Sequence, residues 1–182
     1  MDLPTQSAHF TRKIITNYGV LKRVTNGLRA ANRKVVVTIG SWDMLHIGHL
    51  RYLARAKSFG DVLIVGADSD RAIRRYKGPH RPVIPETERM EMLSYQAFVD
   101  YVTIIDDVTI QGLWQYGLLR ALHPDIFIAV KDSYPRSQRQ AIAKLVGTLK
   151  VLPRQAEHTS STDVFQRLIH ELPHLISILD RR

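Results

Sequence analysis

The sequence predicts a doubly wound, parallel α/β sheet of five strands with a short helical N-terminal extension, and three observations predict it. Five short runs rich in Val, Ile and Leu are continuous rather than alternating in polarity, as strands covered on both faces are. Helical patterns lie between them, and this β-α-β rhythm makes a parallel sheet the natural arrangement. The first run ends at Gly40, and sheets of this kind bind ligands at the carboxyl ends of their strands, where strand order reverses.

Taken in order, residues 8–33 place Phe10, Ile14, Val20, Leu21, Val24 and Leu28 at roughly helical spacing, and Gly19 and Gly27 divide them into two short basic helices. These read as an appendage rich in Arg12, Lys13, Lys22, Arg23, Arg29 and Arg33. Strands are expected at 34–39, 61–67, 101–105, 125–130 and 148–152, with helices at 47–58, 86–98, 109–122, 135–146 and 160–172. The domain division that follows is an extension over 1–33, a Rossmann-like domain over 34–172 and a tail over 173–182. No internal repeat or low-complexity tract interrupts it.

Composition narrows the function classes. With 182 residues, 45% hydrophobic and 24% charged, the chain has the size and make-up of one globular domain with a real core. No apolar run approaches the roughly 20 residues of a membrane span, and the opening MDLPTQSAHFTRK lacks a signal-peptide core. The absence of cysteine excludes disulfides and thiolate metal sites and fits a cytoplasmic protein. The net charge of +9 attracts polyanions, whether nucleic acid, an anionic membrane or nucleotide phosphates. The charges are spread along the chain and form no recognised nucleic-acid module, so nucleic acid is not the expected partner.

The chemistry is concentrated in GSWDMLHIGH, Gly40 to His49. Gly40 lets the backbone turn and approach a ligand, and the amides of Ser41 and Trp42 can then face a phosphate. His46 and His49, three apart across a helix start, project to one side, and Gly48 between them removes a side chain that would block a base or ribose. The helix N-terminus adds free N–H groups and partial positive charge, which favour a triphosphate. A zinc site is a further option for the histidine pair, but no third ligand is evident and helical metal pairs are usually four apart. Asp68-Ser69-Asp70, at the end of the second strand, reads as a helix cap that could also touch an acceptor.

GSWDMLHIGH resembles the HxGH signature of the nucleotidyltransferase superfamily, in the form used by its cytidylyltransferase-like branch. The similarity continues through DVLIVGADSDRAIRRYKGPHRPVIPETERMEML, AFVDYVTIIDD, PDIFIAVK and VLPRQAEHTSSTDVFQRLI, about 34–170. It is strongest to adenylyltransferase domains that act on D-glycero-β-D-manno-heptose 1-phosphate. The resemblance implies that an acceptor phosphate attacks the α-phosphorus of ATP or CTP in line and releases pyrophosphate. No covalent enzyme intermediate forms, so positioning and charge stabilisation do the catalysis.

By the same resemblance His46, His49 and Lys77 face the phosphates, and Arg89 faces the site from a helix. Arg154 and Ser160-Ser161-Thr162, which is similar to the family's I-S-T-T element, bind the β and γ phosphates. Lys131 stands where the heptose-phosphate enzymes read V-K-G-G-D-Y, but both glycines are replaced in Val130-Lys131-Asp132-Ser133-Tyr134, which bears on acceptor and base specificity. Mg²⁺ is implied, held mainly by the phosphates, with Asp43 helping to orient the site and no protein metal cage. The expected partners are a nucleoside triphosphate, a phosphorylated sugar or alcohol, and a second copy in a homodimer. The alternatives are a CTP-dependent glycerol- or ethanolamine-phosphate cytidylyltransferase and a non-catalytic nucleotide-binding regulator.

Overall fold

The computed structural model describes residues 10–131, 133–156 and 159–179, and for 174, 175 and 177–179 the backbone alone. Residues 1–9 of the predicted extension, Asp132 and residues 180–182 of the predicted tail lie outside the described residues.

The strands fall where their apolar runs place them: β1 Val35–Gly40, β2 Val62–Asp68, β3 Tyr101–Ile105, β4 Ile126–Val130 and β5 Thr148–Leu152. All pair in parallel, in the order β3-β2-β1-β4-β5. Order therefore reverses between β1 and β4, and the crevice at their carboxyl ends is the expected ligand position. The helices are α1 Tyr18–Ala30, α2 Ile47–Lys57, α3 Asp70–Lys77, α4 Glu86–Ser94, α5 Gly117–Leu122, α6 Arg136–Ala143 and α7 Ser161–Leu179.

Alternate residues of each strand point to opposite faces, and each face has its own core. Val36, Leu63 and Val65 pack with Leu53 and Ala56 of α2 and Leu93 of α4. Val35, Val37, Ile64 and Phe127 pack with Leu21 of α1, Leu118 and Leu122 of α5 and Ile142 of α6. At ~25 cal/mol per Å² of apolar area, these two layers supply the main drive to fold.

Four helices differ from the sequence expectation. Phe10 and Thr11 are helical, and after them the pattern forms a helix, α1, that runs through Gly27, with Asn17 capping it by accepting from the Val20 amide at 3.1 Å. It is packed into the fold: Leu21 is fully buried, and the Tyr18 hydroxyl donates to the Ile104 carbonyl at 2.8 Å. Arg29 donates to the Leu122 and His123 carbonyls at 3.0 and 2.9 Å. Just before it, Ile15 N–H donates to the Val102 carbonyl and Val102 N–H to the Lys13 carbonyl, joining residues 13–15 to β3. Helix α3 was not among the expected helices, although its cap was: Ser69 caps it, and with five charged residues in Asp70–Lys77 and only Ala72 and Ile73 buried it shows little apolar pattern. The helix expected over 109–122 is confined to α5; Ile110 and Leu113 are exposed in a loop whose Gly112 has φ 78°. Helix α7 runs past 172 to Leu179, through Pro173. Among the described residues no helix is long and apolar enough to cross a membrane.

Candidate active site

The loop from β1 to α2 is shaped by its non-glycine residues. Trp42 and Met44 both take φ of 51°, the left-handed region that bulky side chains rarely adopt. Gly40 has no such φ; a Cβ there would lie 3.2 Å from the Trp42 ring. The glycine thus makes room for an indole, where sequence suggested a sharp turn. That indole is 4% exposed, and its Nε1 donates to the Gly66 carbonyl at 2.8 Å.

Between the two left-handed residues sits Asp43, fully buried. Its carboxylate accepts from the amides of Val83 and Ile84 at 3.0 and 3.1 Å and pairs with Arg81 Nη2 at 2.8 Å. Its carbonyl accepts from Ser161 Oγ at 2.7 Å. The Asp43 side chain therefore ties the loop to residues 81–84 and does not face the ligand side, contrary to the sequence expectation.

The histidines explain their own spacing. His46 is the N-cap of α2, and its Nδ1 accepts from Gly48 N–H at 3.1 Å. His49, at N3, accepts with Nδ1 from His46 N–H at 3.4 Å. This is a capping box, usually made by Ser or Thr with Glu or Gln, built here from two imidazoles. Because each Nδ1 accepts, the proton of each neutral ring resides on Nε2, as a donor. The rings stack 3.9 Å apart at 29°, and the Trp42 ring meets His49 edge-on at 5.5 Å. Burial drives the His49 pKa down to about 3, helped by the neighbouring His46 and Lys77 and opposed by Asp43. Burial lowers His46 too, against Asp163. At neutral pH both rings are therefore neutral donors.

They open onto a cavity of about 530 Å³ at the β1–β4 switch point, lined there by Ile39 and Val130. Of the residues singled out in sequence, Gly40, Ser41, Trp42, His46, Gly48 and His49 line it from the β1–α2 side. Lys77 lines it from α3, and Arg154, Ser160, Ser161 and Thr162 from the segment leading into α7. Lys77 Nζ donates to Ser41 Oγ at 2.8 Å. Burial lowers its pKa, as does Arg81, while Asp43 and Asp68 oppose the shift. Ser160 Oγ caps α7 by accepting from Asp163 N–H at 3.1 Å. At Gly48 a Cβ would come within 2.9 Å of both Ala156 Cβ and His46 Cε1. The missing side chain makes way for protein atoms, which corrects the expectation of space for a base.

Four more expected residues lie elsewhere. Arg89 is fully buried and spends its donors on the carbonyls of Ile84 at 2.9 Å, of Asp68 at 2.7 Å and of Ser41, and on Asp70 Oδ1 at 2.8 Å. It is an internal brace, and Asp70 is one of its partners. Asp68 accepts from the Tyr76 hydroxyl at 2.6 Å, and Lys131 is exposed at the end of β4; neither is part of the cavity lining. Sequence reasoning missed Asp163 and Gln166, which line the cavity from the first and second turns of α7. Their spacing from Thr159 and Ser160 along one helix face was the available signal. It also missed Tyr52, whose hydroxyl sits 2.7 Å from Thr38 Oγ1 and donates to the Ile128 carbonyl at 3.0 Å.

The site can be set beside known proteins. A family model described as Cytidylyltransferase-like matches residues 37–172. Among curated proteins, the "Bifunctional protein HldE" of Geobacter metallireducens is 39% identical over 121 residues, 66% of this chain and 24% of that protein. Its namesake in Campylobacter curvus is 47% identical over 100 residues, 55% of this chain and 20% of that one. That of Trichlorobacter lovleyi is 33% identical over 157 residues, 85% of this chain and 31% of that one. The chain thus spans only a fifth to a third of the length of these relatives. Among solved structures, a lipopolysaccharide core biosynthesis protein from Thermoplasma volcanium aligns with TM-score 0.55 and 25% identity, over 69% of this chain and 98% of that one. Pantoate-beta-alanine ligase from Francisella tularensis, at 15% identity and TM-score 0.56 over 84% of this chain and 75% of that one, shares the fold. The family match takes in most of the chain, including both histidines and the start of α7, so this chain belongs to the cytidylyltransferase-like family.

Proposed function

We propose that the chain transfers a nucleoside monophosphate to a phosphorylated sugar, with ATP as donor and a heptose 1-phosphate-like acceptor as the preferred reading. An acceptor phosphate oxygen attacks the α-phosphorus, the bond from the α-phosphorus to the bridging oxygen breaks, and pyrophosphate leaves. The observation that carries this reading is the histidine capping box, which leaves two neutral Nε2–H donors beside a cavity of suitable size. Donors fixed where charge develops need no reorganisation during the reaction.

Lys77 and the N-terminus of α7, with Ser160 to Thr162, would hold the β and γ phosphates. The HldE relatives support a sugar phosphate as acceptor, and the family description supports CTP as the alternative donor. A glycerol- or ethanolamine-phosphate acceptor goes with that donor because DVLIVGADSD and RYKGP are similar to such cytidylyltransferases, while the replaced glycines after Lys131 bear on the regulatory alternative.

The donor set fits a phosphate-held Mg²⁺. Among the described residues no three His, Asp or Glu side chains converge as a cage, and Asp163 is the carboxylate of the described cavity lining. When bound, the ion would supply charge neutralisation to the triphosphate, and Asp163 is the lining carboxylate that would help hold it. The test is pyrophosphate release with Mg²⁺, crossing ATP, CTP, GTP and UTP against sugar 1-phosphates and alcohol phosphates. One active pair, lost in His49→Ala, is the expected result. Nucleotide binding without release from any pair would instead indicate a regulatory protein.

A further inference from the structure

Arg81 lies outside the cavity yet touches the parts that build it. It sits in the segment 78–85 between α3 and α4 with a side chain 14% exposed, against a fully buried Asp43. Both Asp43 oxygens already accept backbone amides, and Arg81 reaches the carboxylate through Nη2 at 2.8 Å. Its Nε is buried with no hydrogen-bond partner among the described residues, so the guanidinium does not form the two-pronged pair that Arg and carboxylate commonly make. Its carbon Cζ instead lies 5.7 Å from the centre of the Phe165 ring, within the range of a cation–π contact.

Phe165 is on α7, one turn after Ser161, whose hydroxyl donates to the Asp43 carbonyl. The Asp43–Arg81 pair therefore grips the start of α7 at two points, Ser161 through the backbone of Asp43 and Phe165 through the guanidinium. On the other side, the segment bearing Arg81 continues from Lys77, which is bonded to Ser41. Three walls of the cavity meet at one ion pair: the β1–α2 loop, the Lys77 end of α3 and the first turns of α7.

We propose that Arg81 is a positioning residue for nucleotide binding, holding the first turns of α7 in register with Lys77 and the two histidines so that all close on the same triphosphate. The proposal rests on the nucleotidyltransferase reading of this cavity. Lysine would keep the charge beside Asp43 but has no planar face for the Phe165 ring, so the two functions of Arg81 are separable.

The experiment compares the full chain with Arg81→Lys, Phe165→Leu and the double variant. It measures melting temperature without nucleotide, dissociation constants for ATP and CTP with Mg²⁺ by calorimetry, and kcat and KM by pyrophosphate release. Arg81→Lys is expected to weaken binding and raise KM about tenfold with kcat changed less than about threefold, as lost uniform binding does. Phe165→Leu is expected to shift both constants the same way, and the double variant to be little worse than Arg81→Lys, since the two act through one contact. Variants that melt lower but bind nucleotide like the parent overturn the proposal and leave Arg81 a structural partner of Asp43. Additive effects in the double variant overturn the link through Phe165. Should Arg81→Lys not fold, unchanged nucleotide affinity in Phe165→Leu overturns the proposal alone. A parent chain that binds no nucleoside triphosphate overturns both this inference and the reading beneath it.

Discussion

At the scale of single residues, His49 has two roles that one substitution can separate. Its Nδ1 closes the capping box of α2, and its Nε2–H is the donor left for a phosphate. Asparagine can keep an acceptor at N3, whereas alanine cannot. His49→Asn is therefore expected to melt close to the parent yet lose about 10²–10³-fold in kcat, the usual cost of one preorganised donor; His49→Ala should lose a similar factor and also about 1 kcal/mol of stability. A kcat within threefold of the parent in both would remove His49 from the chemistry. Arg89 makes the opposite case. Its guanidinium is enclosed and bonded to three carbonyls and to Asp70, so Arg89→Met should cost about 3–5 kcal/mol by stranding those partners, read as a lower urea midpoint. The residue types at both places were legible in sequence. What they bond to was not, because Arg89 meets Ser41 48 positions away and Asp43 meets Val83 40 positions away, and local spacing carries no trace of such pairs.

At the scale of elements, legibility followed burial. The strands are short apolar runs, the central ones covered on both faces and β5 partly exposed at the edge, and their limits agree with expectation to within a residue or so. Helices were read well where an apolar stripe faces the sheet, as in α2, and poorly where charge dominates, as in α3, or where apolar residues lie in an exposed loop, as at Ile110 and Leu113. In α1 the mistake was to let Gly27 end a helix. Gly27 sits in the helix interior, has an ordinary φ, and an added Cβ would meet nothing within 4 Å. Gly27→Ala should therefore stabilise the protein by about 0.5–1 kcal/mol through the unfolded chain and helix propensity. For a chain of this size that is a rise of roughly 1–4 °C in melting temperature. A fall would mean that the α1 surface at Gly27 is covered in solution.

Across the whole molecule, the half-buried His49 ties stability to pH. In the unfolded chain His takes up a proton near pH 6.5, while folded His49 resists until about pH 3. Between those values the unfolded state binds more protons, so stability rises with pH through the window and is lost progressively as pH falls below about 6.5. The urea midpoint should be higher at about pH 7.5 than at about pH 4.5, and His49→Asn should flatten the difference. An unchanged slope in the variant would show that His49 titrates normally in the folded protein. Residues 13–15, hydrogen-bonded to β3, have a consequence for handling the protein. β3 ends the sheet on that side, and without a neighbour its outward N–H and C=O groups would be a template for pairing with another chain. The N-terminal segment occupies that border as a cover strip. A protein that begins at Asn17, the cap of α1, would keep α1, all five strands and the whole cavity lining yet bare this border, and aggregation rather than inactivity would be its first defect.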